Sequence, residues 1–112
     1  MDKIAGLKSA IKKVLHQYMR ERPLPDSEVA YKVIADDAQG QYQLLVMGWQ
    51  QRRRIYHVLF HLEILEGKIW IQEDNTEDSM AELLVQEGVP ANAIVLGYFS
   101  PFHRRQTAFA PA

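Results

Sequence analysis

A change of hydrophobic period constrains this chain more than any other feature. Ile4, Leu7, Ile11, Val14, Leu15 and Tyr18 recur at three- and four-residue steps, whereas Val29, Tyr31 and Val33 alternate with polar residues that include Glu28 and Lys32. The first pattern is one stripe of an amphipathic helix over about residues 2–22, ended by Pro23 and Pro25. The second is a strand whose side chains turn to opposite faces. Residues 36–40, DDAQG, have the composition of a hairpin loop, and a second strand follows through Tyr42, Leu44 and Val46 to about Trp49. Gln50, Gln51 and Arg52 turn the chain into a third strand at about residues 53–65, and Glu66, Gly67 and Lys68 connect it to a fourth containing Ile69, Trp70 and Ile71. Four strands joined by loops this short imply an antiparallel meander.

The helical period returns after Gln72. Asp74, Asn75 and Thr76 are good caps, Glu77 stands three residues beyond Asp74 as in a capping box, and Met80, Leu83 and Leu84 form an apolar stripe. Gly88 stops this second helix and Pro90 lies just beyond it. Ile94, Val95 and Leu96 suit a short fifth strand, residues 101–106 a turn of helix, and residues 107–112 an apolar, uncharged tail. The expected class is therefore α+β, with a four-stranded antiparallel meander and a possible fifth strand packed against a long N-terminal helix and a second helix. With no internal repeat or linker, residues 1–112 are expected to form one domain.

At 112 residues and 47% hydrophobic content, such a domain buries roughly two-thirds of the surface its unfolded chain exposes. Cysteine is absent, which excludes disulfides, thiolate metal sites and cysteine nucleophiles. Lys8, Lys12 and Lys13 interrupt every apolar run of signal-peptide type, and no stretch approaches the roughly 20 apolar residues that cross a bilayer. The expected location is the cytoplasm, away from membranes. Net charge is −1, yet residues 1–25 carry six Lys or Arg against Asp2 and Glu21, whereas residues 63–87 carry eight acids against Lys68 alone. Two helices with solvated outer faces of opposite sign account for this split. A surface that steers a charged partner would account for it as well.

The middle strands carry apolar residues on both faces. In the third, Tyr56, Val58, Phe60, Leu62 and Ile64 share one face, but Ile55, Leu59 and Leu65 occupy the other beside His57, His61 and Glu63. In the second, Leu45, Met47 and Trp49 oppose Tyr42, Leu44 and Val46. Both faces need cover, from the C-terminal segment or from another protein, so a homodimer or larger assembly is expected.

Candidate chemistry is sparse. His57 and His61 are four apart, a metal pair on a helix, but an extended strand holds their backbones about 13 Å apart, and both are expected to be semi-buried, hydrogen-bonded strand residues. His61 and Glu63 share a face, and with Asp74 from the next hairpin they form the one candidate acid/base or metal cluster, the basis of an alternative in which the chain is a hydrolytic or nucleic-acid-processing enzyme. No spacing matches a dedicated metal motif, no serine sits in a nucleophile elbow and no glycine loop cradles phosphate. The expectation is a protein with no catalytic residues, cofactor or metal. The one concentrated basic feature is Arg52, Arg53 and Arg54, bracketed by Trp49 and Tyr56, with Arg104 and Arg105 a smaller second. Arginine beside aromatic rings grips phosphate and stacks on bases, and is equally the composition of a protein-binding hot spot. These five residues, Trp49 to Tyr56, are the candidate contact for a partner or nucleic acid.

Longer segments resemble the XisI family of fdxN element excision controlling factors. They are YQLLVMGW at 42–49, HLEILEGKIWIQ at 61–72, GKIWIQEDNTE at 67–77, AELLVQEGVP at 81–90, IVLGYFSP at 94–101 and the ending TAFAPA. The opening helix is similar too, so the resemblance spans nearly the whole chain. It implies a cyanobacterial-type regulatory factor acting in DNA excision beside a XisH-like partner and within a recombinase complex, and it brings no catalytic residues. The chain departs from the family pattern at Asn75, where glycine is usual, and at Ser100, where a second proline is common. Both positions are expected in turns.

Overall fold

The computed structural model describes residues 2–112. Helix α1 spans Lys3–Glu21, opening where the Asp2 carboxylate accepts the Ile4 N–H at 2.9 Å. It is followed by β1 (Val29–Asp36), β2 (Gln41–Gln50), β3 (Arg53–Leu65) and β4 (Lys68–Asp74), which pair antiparallel in chain order. Helix α2 (Met80–Gln86) and a 3₁₀ turn at Ala91–Ala93 carry the chain to β5 (Ile94–Leu96), which lies parallel to β4. A last short helix, α3, spans Pro101–Arg104. The fold is α+β, as expected, and its fifth strand is parallel because a helix connects it to β4.

One face of the sheet holds the core. Leu7, Ile11, Val14, Leu15 and Tyr18 of α1 and Met80, Ala81 and Leu84 of α2 pack with Tyr42, Leu44, Phe60, Leu62, Ile69, Ile71, Ile94 and Leu96. Each large apolar side chain removed from water here contributes about 1.5–3 kcal/mol. Tyr18 adds an edge-to-face contact with Phe60 at 5.0 Å between ring centres. The β1–β2 turn locks α1 from outside the core. The Asp37 carboxylate accepts from the Tyr42 hydroxyl at 2.7 Å and pairs with Lys12 at 2.9 Å, and its carbonyl accepts from Lys8 at 2.6 Å. The Tyr42 hydrogen bond, and then Lys12, hold the Asp37 carboxyl below the ordinary carboxylate range.

Helix α2 starts later than the capping-box residues suggest. Strand β4 runs on to Asp74, so the cap falls to Ser79, whose hydroxyl accepts the Glu82 N–H at 3.2 Å. Asp74 braces the intervening loop instead, accepting from Thr76 N–H at 3.1 Å, the Thr76 hydroxyl at 2.8 Å and Met80 N–H at 3.0 Å. Gly88, with φ of 106°, follows the end of α2 as its sequence position implies. Ser100 caps α3 by accepting the His103 N–H at 3.3 Å.

Two bulges shape the sheet. Leu44 pairs with Phe60 but Leu45 pairs with Val58, so Leu59 is an extra residue in β3; Gln72 is the corresponding extra residue in β4, between the pairs Leu62–Ile71 and His61–Glu73. The Leu59 bulge reverses the facing of the first half of β3. Ile55 and His57 join Phe60 and Leu62 on the helix side, whereas Tyr56 and Val58 move to the second face with His61 and Glu63. The single alternation expected along this strand is corrected accordingly.

The C-terminal segment covers part of that second face. Its last residues pair at the outer edge of β5, where the Ala110 N–H donates to the Ile94 carbonyl at 2.8 Å and Ala110 bridges to Val95. The Arg104 guanidinium lies 5.1 Å from the Trp70 ring centre and donates to the carbonyls of Phe99 and Pro111 at 3.0 and 3.2 Å. Arg104 is thus a clasp, and its grouping with Arg105 as a second basic surface does not hold. The cover has an energetic cost, because the Trp70 indole Nε1 is buried without a hydrogen-bond partner among the described residues. Toward β1, Ile34, Trp49 and Tyr56 stay uncovered.

Gly48 fixes where the β2–β3 hairpin leaves the sheet. Its φ is 148°, and a Cβ there would lie 2.0 Å from the Glu28 carbonyl oxygen, the same oxygen that accepts the Trp49 N–H at 3.2 Å. We expect Gly48→Ala to destabilise the protein by more than about 3 kcal/mol in urea titration. Gly67→Ala, at φ 79° with open space around it, should cost only the left-handed backbone penalty of about 1–2 kcal/mol.

Candidate functional site

The β2–β3 hairpin reaches past its neighbours. Pairing of β1 with β2 ends at Val29–Gly48 and pairing of β3 with β4 begins at Phe60, whereas β2 and β3 stay paired out to Gln50–Arg53. The turn between them is tight, with Gln51 in the left-handed region at φ 58°. Trp49 and Arg54 form a cross-strand pair, and Met47 and Tyr56 form the next pair on the same face. The Arg54 guanidinium lies between the rings, 5.6 Å from the Trp49 centre and 5.8 Å from the Tyr56 centre, and donates to the Gly48 carbonyl at 3.3 Å. Both rings remain open to solvent, Trp49 at 49% and Tyr56 at 56%.

Three of the five candidate contact residues therefore converge. Arg52 sits in the turn itself, and Arg53, opposite Gln50, lies on the other face of the hairpin. Among the described residues no carboxylate pairs with Arg52, Arg53 or Arg54, since the ion pairs present are Lys12–Asp37, Lys13–Glu87 and Arg22–Asp78. Met47, outside the five candidate contacts, extends the patch directly opposite Tyr56, and Ile34, 50% exposed, stands on the same face two rows further along, on β1. The signal for Ile34 was its place on the polar side of an alternating strand.

The alternative cluster is not assembled. His61 and Glu63 do share the second face, linked through amides: the Gln41 Oε1 lies 2.8 Å from His61 Nε2, and Glu63 accepts from Gln41 at 2.7 Å and from Gln72 at 2.9 Å. Asp74 is opposite Phe60, on the core side, and its oxygens serve the Thr76 and Met80 donors. Among the described residues no three His, Cys, Asp or Glu side chains come together in a way that could hold a metal ion. His57 does not belong with His61 either. It is exposed, on the opposite face, with no hydrogen-bond partner among the described residues, which corrects the expectation that both histidines are half-buried and bonded. A groove of about 320 Å³ between α1 and α2 is walled by Gln17, Glu21, Gln86 and Glu87, and its one arginine, Arg22, is engaged bidentately by Asp78 at 3.0 Å. No helix among the described residues is long and apolar enough to cross a membrane.

Fold and site together define a small α+β domain whose prominent surface is a protruding aromatic and arginine hairpin. The chain belongs to the XisI protein family, whose match covers residues 1–111. It is similar to a XisI-like protein from Anabaena variabilis ATCC 29413, with 36% identity and a TM-score of 0.89 over 97% of this chain and 99% of that one. It is similar also to the fdxN element excision controlling factor XisI from the same organism, with 34% identity and a TM-score of 0.80 over 99% and 100% of the two chains. No curated protein sequence matches it.

His61 is held on the second face by Gln41, at 2.8 Å. His61→Gln should lower stability by about 1–2 kcal/mol through the lost hydrogen bond, and His57→Gln should change it by less than about 0.5 kcal/mol. Dialysis against chelator should leave the melting temperature of the wild-type chain unchanged in calorimetry.

Proposed function

We propose that this chain is a non-catalytic accessory factor that controls site-specific DNA excision of the fdxN-element type by binding a XisH-like protein, within a recombinase complex in the cytoplasm. Membership of the XisI family, with a relative named as an fdxN element excision controlling factor, supports the excision role. The partner-binding role rests on one observation, the solvent-exposed stack of Trp49, Arg54 and Tyr56 on a hairpin that overhangs the sheet. Tryptophan, tyrosine and arginine are the residues that dominate interface hot spots. Here they stand together, exposed on a two-stranded ladder.

Direct duplex binding is the weaker use of the same residues. Duplex affinity grows with the number of phosphates neutralised by Lys and Arg, and this chain has net charge −1. Contacts from Arg52, Arg53 and Arg54 alone would give affinity weaker than about micromolar at physiological salt. Arg52→Ala, Arg53→Ala and Arg54→Ala combined should leave the fold intact by circular dichroism while weakening capture of the XisH-like protein in a pull-down. A mobility-shift titration in which this chain alone binds duplex below micromolar concentration would refute the protein-mediated role.

We propose further that the chain self-associates through the part of the second face that the C-terminal segment leaves open, around Ile34, Met47 and Val58. Light scattering behind size exclusion should give a dimer or larger at micromolar concentration; a clean monomer would overturn this.

A further inference from the structure

Because β4 ends at Asp74, opposite Phe60, the edge of β3 before that point is open in the middle of the sheet. β3 pairs with β2 from Arg53 to Glu63 but with β4 only from Phe60 to Leu65, so residues 53–59 have a strand on one side alone. The end of this open edge is closed by Asn75, whose backbone N–H donates to the Leu59 carbonyl at 2.9 Å and whose side-chain amide donates to the Val58 carbonyl at 2.8 Å. Beyond Val58 no hydrogen bond among the described residues reaches residues 53–57 from that side. Every second residue of an extended segment turns its N–H and C=O outward, which makes such an edge a template for another strand. A groove of about 430 Å³ runs beside it, lined by Tyr56, His57, Val58, Leu59 and Asn75.

We propose that residues 53–58 of β3 accept an extended, acidic segment of a partner protein as an added strand, continuing the sheet past Asn75. This deepens the partner-binding role and rests on it. Main-chain hydrogen bonds would supply the attachment, and pockets for alternate side chains the selectivity. On the second face the incoming side chains would meet Tyr56 and Arg54, and on the helix face His57 and Ile55. Charge selects the occupant. Arg52, Arg53 and Arg54 have no carboxylate partner among the described residues, and a second copy of this edge would bring three more arginines to a cluster already unneutralised. A segment with Asp or Glu neutralises it. The outer edge of β1 differs, since Lys32 stands in its middle as a common guard against strand pairing.

The test uses the full chain and three capped octapeptides: alternating Val and Glu, alternating Val and Lys, and the Val–Glu peptide with every second amide N-methylated so that it cannot form a ladder. Binding is followed by NMR titration and amide hydrogen exchange. We expect the Val–Glu peptide to bind at least about tenfold tighter than either control, and to slow exchange of amides within residues 53–58. No binding of that peptide, equal binding of its N-methylated form, or protection appearing on β1 instead would each overturn strand addition. The arginine substitutions in the XisH-like pull-down answer a separate question. Weakened capture there with a negative peptide result would leave the partner role standing and remove this mode of contact; a positive peptide result with undiminished capture would do the reverse.

Discussion

A single inserted residue organises much of this molecule. Leu59 is extra in β3, and two features follow from it. The strand's helix-side row becomes Ile55, His57, Phe60 and Leu62, which brings buried Ile55 to the same side of the sheet as the main core. Tyr56 moves to the second face, next to Arg54 and across from Met47, which creates the aromatic and arginine stack. Pairing with β4 starts only at Phe60, because β4 ends at Asp74. There Asn75 satisfies the Val58 and Leu59 carbonyls, which have no partner in β4, as buried or half-buried backbone acceptors require. A glycine at 75 would have no side-chain amide with which to make the second of these bonds.

The sequence carried the trace of this bulge in a form easily misread. Apolar residues on both sides of β3 look like a strand buried on two faces, because a strict two-residue period assigns Tyr56 with Phe60 and Ile55 with His61. One inserted residue converts the same string into two half-strands, each with one buried side. The period is local, whereas a bulge is set by what lies across the ladder, so the alternation in β3 alone could not reveal it. The elements themselves were legible because each rests on local chemistry: the stripe of α1, the DDAQG turn, the glycine at 88. The start of α2 was not, since three good caps at residues 74–76 compete and the choice of Ser79 depends on β4 extending to Asp74. At the hairpin, proximity in sequence was enough to pick out Trp49 and Tyr56. It could not tell that Arg54 is the arginine they share while Arg53 faces the other way.

The division of charge along the chain is resolved inside the fold. The basic opening segment forms α1, the acidic 63–87 segment runs from the end of β3 through β4 to the end of α2, and both helices pack on one side of the sheet. Lys13 meets Glu87 at 2.7 Å and Arg22 meets Asp78 at 3.0 Å, with Tyr18 beneath the guanidinium at 4.3 Å. Such pairs, half-exposed as they are, add little stability each, but they join the two segments and reduce any long-range field the charge split would project. What is left unneutralised is local. Arg52, Arg53 and Arg54 stand at the far end of a hairpin, beyond the reach of the acids that balance α1, and screening by physiological salt confines their influence to roughly 8 Å. A cluster with that range discriminates between surfaces already in contact rather than gathering a distant polyanion. That fits recognition of an acidic protein segment at the β3 edge better than steering toward DNA.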